Sequence, residues 1–388
     1  MTQQKSDQAL ATTALTAENR LRMQQLTDWL NDVFSGQEYH LTSLPGDASF
    51  RRYHRIALTQ MDDTSEAVTQ SESTVRYIIM DAPPQKESIT EFVAVDELLA
   101  AVVNVPTIIA KDMQQGFLVL QDFGTTEFAH LLQQLPEDGQ KAQRVNDYYQ
   151  WAMRTLIELQ GLDINQARQQ ANLPDYDVNK LNDEMALFSD WFLPYFDISM
   201  STSAQQVWQQ LTQWLTKQIT SQPQVVVHRD YHSRNLMLDR QNVDKLGVID
   251  FQDAVIGAYS YDLLSLLRDA YVNWDEQTIK DWVSDFWQYQ QSSGLKTAAT
   301  ADEFYQDMNI VGVQRHLKIL GIFIRLAKRD GKLRYLADIA KVMQDLRFEL
   351  AWLSQQGDVE AQEAVAAFTQ WFEAEVVPVY EQKQHLLG

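Results

Sequence analysis

The sequence predicts an α+β chain of two lobes: a small N-lobe on an antiparallel β-sheet with one packed helix, and a larger, mostly helical C-lobe. Three observations predict it. Residues 1–122 alternate short β-branched and aromatic runs with turn residues, around one amphipathic stretch. After Glu127 the pattern is largely helical, with Trp and Leu recurring at helical spacing. Between Val225 and Phe251 short apolar runs break that pattern, each ending in a polar loop.

Each element follows from its residues. Segment 1–15 is polar and expected to fray. From Thr16, the residues Leu21, Met23, Leu26, Trp29, Leu30 and Phe34 keep a helical spacing that ends near Gly36. Residues 39–44 read as a strand, Pro45-Gly46-Asp47-Ala48-Ser49 as a turn, and 50–58 as a second strand. The polar, acidic run 60–74 reads as a long hairpin tip, after which 75–80 resume a strand. Residues 88–102 form an amphipathic helix with Phe92, Val95, Leu98 and Leu99 on one side, broken by Asn104-Val105-Pro106. Residues 107–110 and 116–120 read as two more strands around a Lys-Asp-Met-Gln-Gln turn. A connector near Gln121-Asp122-Phe123-Gly124 then separates lobe 1–122 from lobe 123–388. A helix over 261–270 follows the acidic cluster, and long helices run to the end. No internal repeat is present.

Composition narrows the function. Lys and Arg number 32 against 53 Asp and Glu, a net charge of −21. Nucleic acid, whose phosphates need basic residues, is a poor partner for such a chain. There is no cysteine, which excludes disulfides and thiolate metal sites and fits a reducing compartment. The N-terminus lacks a basic flank followed by an apolar core, and no run approaches the roughly 18–20 apolar residues of a membrane span. A cytoplasmic protein with no membrane partner is expected.

The chemistry is concentrated in Val227-His228-Arg229-Asp230-Tyr231-His232-Ser233-Arg234-Asn235, followed by Val248-Ile249-Asp250-Phe251. It reads as H-x-D-x-x-x-x-N and then I-D-F. In kinase-type phosphoryl transfer an aspartate positions and deprotonates the attacking hydroxyl. An asparagine five residues on and a second aspartate hold Mg²⁺ on the nucleotide phosphates. Asp230 is the candidate base, Asn235 and Asp250 the candidate metal ligands. As a lone residue Asp230 would equally be a turn aspartate; the spacing to the other two decides for chemistry. His228 and His232 lie four apart, but without cysteine or an evident third ligand they do not read as zinc ligands. His228 reads instead as a side chain packed behind the loop. Arg234 faces either a phosphate or anionic substrate, or a surface ion-pair partner. Asp262 reads as an N-terminal helix partner that, in kinase-like folds, also ties back to the loop backbone.

The turn Gly46-Asp47-Ala48-Ser49-Phe50, with Arg51 or Arg52, lies between two strands where backbone N–H groups can cradle phosphates, although G-x-G-x-x-G is absent. The order of a small β-rich lobe, a connector and a helical lobe carrying the loop motif is that of a protein-kinase-like fold, with a nucleotide between the lobes.

On these residues the chain resembles the aminoglycoside phosphotransferase family of small-molecule kinases. HRDYHSRNLML, GVIDFQDAVIGAYSYDLLSLLRDAY and PGDASFRRYHRI are similar to segments of the bacterial anomeric kinases of N-acetylmuramate and N-acetylglucosamine. The resemblance implies ATP and Mg²⁺ as cofactors and transfer to the C1 hydroxyl of an amino sugar in peptidoglycan recycling. The product would pass to a sugar-1-phosphate nucleotidyltransferase. It implies that Asp230 is the base and that Asn235 and Asp250 are the magnesium ligands. It also places the adenine-binding hinge at Gln121, Asp122 and Phe123. Glu91 matches the glutamate of the N-lobe helix, with Glu87 and Glu97 as competitors. One departure stands out. The third strand, Arg76-Tyr77-Ile78-Ile79-Met80-Asp81, has no lysine to grip the α- and β-phosphates, so an arginine from 51–55 would have to substitute or nucleotide binding would be weak. Polar contacts to the sugar fall to Gln252, Asp253 and Arg234, and a cation for the lactyl group to Arg234, Arg268 or Arg315. Two alternatives stay open: a kinase of this fold acting on another hydroxyl (an aminoglycoside, choline, homoserine or a protein), and a nucleotide-binding pseudokinase.

Overall fold

The computed structural model describes residues 2–45, 51–59 and 74–387. The chain divides into two compact units, 1–93 with 106–122, and 94–105 with 123–388. This division differs from a single cut after residue 122 over residues 94–105, which group with the helical unit.

The first unit holds helix α1 (Thr2–Val33) and strands β1 (Tyr39–Ser43), β2 (Arg52–Thr59) and β3 (Thr74–Asp81). Helix α2 (Thr90–Leu99) crosses into the second unit, and β4 (Ile108–Asp112) and β5 (Phe117–Gln121) complete the first. The five strands form one sheet in the order β1-β2-β3-β5-β4, every pair antiparallel. The helix on its buried face is α1. Leu26, Leu30 and Phe34 pack on Ile56, Leu58, Ile79, Phe117 and Val119, and the Trp29 ring stacks on Phe117 at 5.5 Å. Arg22 pins the end of the central β3–β5 pair, its guanidinium 4.0 Å over Phe117 and bonded to Asp81 at 2.7 Å and the Gln115 carbonyl at 2.6 Å. The helix expected from Thr16 begins at Thr2. Residues 2–15 are part of it.

The second unit is built on helices α3 (Phe128–Gln133), α4 (Lys141–Gln160), α5 (Ile164–Ala171), α6 (Val178–Leu187), α7 (Leu193–Tyr195) and α8 (Thr202–Ser221). Four short strands follow: β6 (Gln224–Val227), β7 (Leu236–Leu238), β8 (Leu246–Val248) and β9 (Val255–Ala258). Then come α9 (Tyr261–Leu267), α10 (Glu276–Ser292), α11 (Ala301–Asp330), α12 (Ile339–Gln356), α13 (Val359–Trp371) and α14 (Val377–Lys383). A π turn over Phe188–Phe192 continues α6 and lies against α11. Helix α11 is the axis of this unit: most of its residues are buried, including Arg315, His316 and Lys318. Strand β9 was not apparent from the sequence. Its four residues, VIGA, are too few to show a period, and pairing with β6 makes it a strand.

Candidate active site

Two antiparallel strand pairs deliver the acidic loops. β6 pairs with β9 from Gln224↔Ala258 to Val227↔Val255, and β7 with β8 from Leu236↔Val248 to Leu238↔Leu246. Val225, Val226 and Val227 are buried, as suits β-branched residues in a covered strand. The chain leaves β6 through 228–235 into β7, and leaves β8 at Ile249 and Asp250. The Ile249 amide donates to the Asn235 carbonyl at 3.0 Å, so the ladder carries both functional arms one step beyond the strands.

His228, fully buried, joins those arms. Its Nε2 donates to the Ile249 carbonyl at 3.0 Å, while Nδ1 accepts the Asp230 amide at 3.3 Å. Only the neutral ring with its proton on Nε2 makes both bonds. Burial accordingly lowers its pKa to about 4. The Asn235 Nδ2 donates to the Asp230 carbonyl at 2.9 Å and lies 3.5 Å from Asp250 Oδ2, and among the described residues no donor meets Asn235 Oδ1. Gln252 Nε2 donates to Asp250 Oδ1 at 2.7 Å and so fixes that carboxylate.

Two residues here hold left-handed backbone without being glycine, Arg229 at φ 75° and Asp250 at φ 65°. Each such residue costs roughly 1–3 kcal/mol and persists where its surroundings over-determine it. At Arg229 the reasons are visible. The buried Asp262 carboxylate accepts both the His228 amide at 2.7 Å and the Arg229 amide at 3.0 Å. The Arg229 carbonyl accepts from Arg315 Nη1 at 2.9 Å. The Arg229 guanidinium reaches Glu184 at 2.5 Å and the Asp253 carbonyl at 3.3 Å. Glu184 on α6 also takes the Tyr176 hydroxyl and lies 3.4 Å from Lys318 Nζ.

The charges follow. Burial would raise the Asp230 acid, but Lys318, Arg315, His232 and Arg229 outweigh it and hold its pKa down to about 2. Burial of Asp262 raises it to about 7, against the two amide bonds that favour its anion. The Asp250 acid is raised, first by the protein packed about it and then by the charges of Asp230 and Asp253. The residue still reaches solvent, so charge repulsion is the part a bound cation would relieve.

Among the described residues no group of three His, Asp or Glu side chains stands ready to cage a metal. Mg²⁺ does not require one: it takes one or two protein oxygens and completes its shell with phosphates and water. Asn235 and the crowded Asp250 carboxylate fit that demand.

The other expected site residues that are described make contacts of their own. Gly46, Asp47, Ala48, Ser49 and Phe50 lie outside the described residues. Arg52 donates to Asn19 at 2.7 Å, while the buried Arg51 beside it meets Glu87 at 2.6 Å. Glu91 is exposed in the first turn of α2, so the glutamate brought to an arginine is Glu87, in the turn before that helix. Gln121 accepts from Thr107 at 3.1 Å. Asp122 accepts two bonds from Arg55, at 2.6 and 3.1 Å. The buried Phe123 ring lies where a side chain at Gly247 would stand, 2.6 Å from the added carbon.

Of the substrate candidates, Arg234 is exposed, its guanidinium 3.4 Å over the Tyr271 ring, and Asp253 is exposed. Arg268 lies inside the fold. It is buried and bonded to Asn309, Glu349, Glu276 and Tyr305, which uses its guanidinium inside the fold. Arg315 is likewise buried, behind the Asp230 loop. Sequence reasoning missed Glu184, Tyr176 and Lys318, which come from segments remote from the motif, and Tyr261, which lies within it beside Asp262.

A five-stranded antiparallel unit preceding a helical one, with an aspartate, an asparagine and a second aspartate gathered around one loop, defines a protein-kinase-like phosphotransferase. The chain belongs to the phosphotransferase enzyme family, whose pattern matches residues 40–298. A Pseudomonas putida protein described as an N-acetylmuramate/N-acetylglucosamine kinase is 37% identical over 336 residues, covering 84% of this chain and 90% of that one. A Neisseria meningitidis protein of the same description is 38% identical over 328 residues, with 84% and 90% covered. Among solved structures, an aminoglycoside 2'-phosphotransferase in its GDP complex matches with TM-score 0.53 at 16% identity, over 84% of this chain and 97% of that one. A choline kinase from Streptococcus pneumoniae matches with TM-score 0.53 at 10%, over 84% and 98%. These two likenesses are of fold. Among the described residues no helix is long and apolar enough to cross a membrane.

Proposed function

We propose that the chain is a cytoplasmic, Mg-ATP-dependent sugar kinase that phosphorylates the C1 hydroxyl of N-acetylmuramate and N-acetylglucosamine in peptidoglycan recycling. The observation that carries this reading is the 37% identity to the Pseudomonas putida kinase over 84% of the chain, which spans the whole Asp230–Asp250 region. The product would be handed to a sugar-1-phosphate nucleotidyltransferase.

Asp230 is the base. An anomeric hydroxyl is more acidic than an ordinary alcohol, so a carboxylate of pKa about 2 need only orient it for most of the reaction. As the bond from the sugar oxygen to the γ-phosphorus forms and the bond to the leaving nucleotide oxygen breaks, the hydroxyl proton passes to Asp230. Asn235 Oδ1 and the Asp250 carboxylate would hold the metal. Mg²⁺ bound there would neutralise phosphate charge. Gln252, bonded to Asp250, orients that ligand. The Arg51–Glu87 ion pair takes the part of the missing lysine and its glutamate. Arg234, its guanidinium over the Tyr271 ring, is the cation for the lactyl carboxylate of N-acetylmuramate.

Phosphorus NMR of the purified protein with Mg-ATP and each sugar tests the reading. A sugar 1-phosphate signal is expected. A 6-phosphate signal would move the reaction away from C1. No product with either sugar would return the weight to another hydroxyl acceptor.

A further inference from the structure

The peptide between His228 and Asp230 is held in an unfavourable conformation, and what holds its far side comes from one helix. Asp262 takes the two amides that precede the strained bond. The carbonyl on the other side, that of Arg229, is taken by Arg315 Nη1 at 2.9 Å. The same nitrogen donates to the Tyr261 hydroxyl at 3.0 Å, and Nη2 of the same guanidinium stands 4.0 Å from Asp230 Oδ1. Arg315 is thus fixed by two neutral acceptors and aimed at the carboxylate without closing a tight ion pair on it. The distance matters. A bidentate pair would occupy both carboxylate oxygens, whereas at 4.0 Å the carboxylate keeps its acceptors for a hydroxyl.

Lys318 lies about one turn further along α11. Its Nζ reaches the Tyr261 hydroxyl at 3.2 Å and Glu184 at 3.4 Å, and Glu184 in turn binds the Arg229 guanidinium. Tyr261 is therefore wedged between two cations of one helix face, and Arg229 is gripped by its amide, its carbonyl and its side chain.

We propose that Arg315 is a positioning residue of the transfer reaction, with Lys318 as its anchor: it clamps the Arg229 peptide and thereby sets where the Asp230 carboxylate meets the substrate hydroxyl. The inference rests on the kinase reading above and replaces the expectation that Arg315 binds the sugar. A clamp acts in the transition state, where placement of the hydroxyl decides the rate, and contributes little to holding either substrate.

The test is steady-state kinetics of Arg315→Met and Arg315→Lys, with Mg-ATP affinity read from tryptophan fluorescence and folding from circular dichroism. Arg315→Met is expected to lower kcat by about tenfold to a hundredfold, with both KM values and Mg-ATP affinity within about threefold of wild type. Arg315→Lys, which keeps the charge but reaches fewer acceptors, is expected to recover part of kcat. A large rise in sugar KM at unchanged kcat would make Arg315 a substrate cation and overturn the inference, as would an unchanged kcat. Should Arg315→Met not fold, Arg315→Lys alone decides, by the same division between kcat and KM. Wild type is assayed first on both sugars. If it transfers to neither, the sugar reading falls, and the variants are compared by hydrolysis of Mg-ATP. There the same loss of rate is expected, and an unchanged rate overturns the clamp.

Discussion

His228 Nε2 donates to the Ile249 carbonyl at 3.0 Å, and that bond ties the arm bearing Asp230 to the arm bearing Asp250. The two carboxylates are 20 residues apart in sequence, yet one buried imidazole sets the distance between their backbones. The ring can do so only while neutral, since a second ring proton would point at the Asp230 amide, itself a donor.

That requirement gives stability a pH dependence of known sign. The unfolded histidine binds its proton near pH 6.5 and the folded one near 4, so between those values the unfolded state holds more protons. The stability is present above pH 6.5 and is lost as pH falls toward 4, by about 3 kcal/mol for the single buried ring. Urea unfolding at pH 7 and pH 4.5 measures it. His228→Gln, whose amide can still donate to Ile249 and does not titrate, should lose less stability over that interval than wild type. Equal losses would refute the assignment.

Asp230→Asn should bind Mg-ATP as wild type does and lose turnover by about 10²–10⁴. The bonds of Asp230 to His228, His232 and Asn235 all use its main chain, so the loop geometry survives the change. Nucleotide titration beside a turnover assay separates the two effects. Wild-type turnover in this variant would remove Asp230 from the reaction.

Asp250→Asn and Asn235→Ala should each raise the Mg²⁺ concentration needed for half-maximal activity, by about tenfold or more. Asp250→Asn removes the charge attracting the ion. Asn235→Ala removes the neutral oxygen and also one of the two bonds to the Asp230 carbonyl, leaving that from the His232 amide, so it should lower the rate at saturating Mg²⁺ as well. Activity titrated with Mg²⁺ reads both. An unshifted curve for Asp250→Asn would mean that the ion is held elsewhere.

The acidic loop was legible because its residues sit at fixed spacing along one stretch of chain, and local backbone geometry alone brings Asp230 and Asn235 together. The strands of the first unit were legible for the same reason, from β-branched runs between turn residues. Arg268 and Arg315 were not. An arginine in a helix or at its end looks alike in sequence whether it faces solvent or a buried glutamate, and the partners Glu349, Glu276 and Tyr261 lie at unrelated distances in sequence. Lys318 had no signal at all, for its role follows from where α11 passes the loop. The Arg51–Glu87 ion pair forms from the turn before α2, a contact that periodicity within the helix cannot register.

How closely α11 must sit gives a last prediction. A carbon added at Gly321 would stand 2.2 Å from the backbone carbonyl of Leu187, where α6 passes into the π turn. The obstacle is backbone, not the tip of a side chain, so the two helices must part. Gly321→Ala should cost about 1–3 kcal/mol of stability, against the small gain alanine brings inside a helix. Gly139→Ala, where nothing lies within 4 Å, is the control and should be near neutral. Gly321 is under two turns from Arg315 on the same helix, so a shift there carries the Arg315 guanidinium away from the Arg229 carbonyl. Gly321→Ala should therefore also lower kcat, with KM nearly unchanged. Urea unfolding with kinetics on the same preparation decides it: a stable Gly321→Ala would refute the packing, and a destabilised variant with full kcat would show that α11 can move without disturbing the loop.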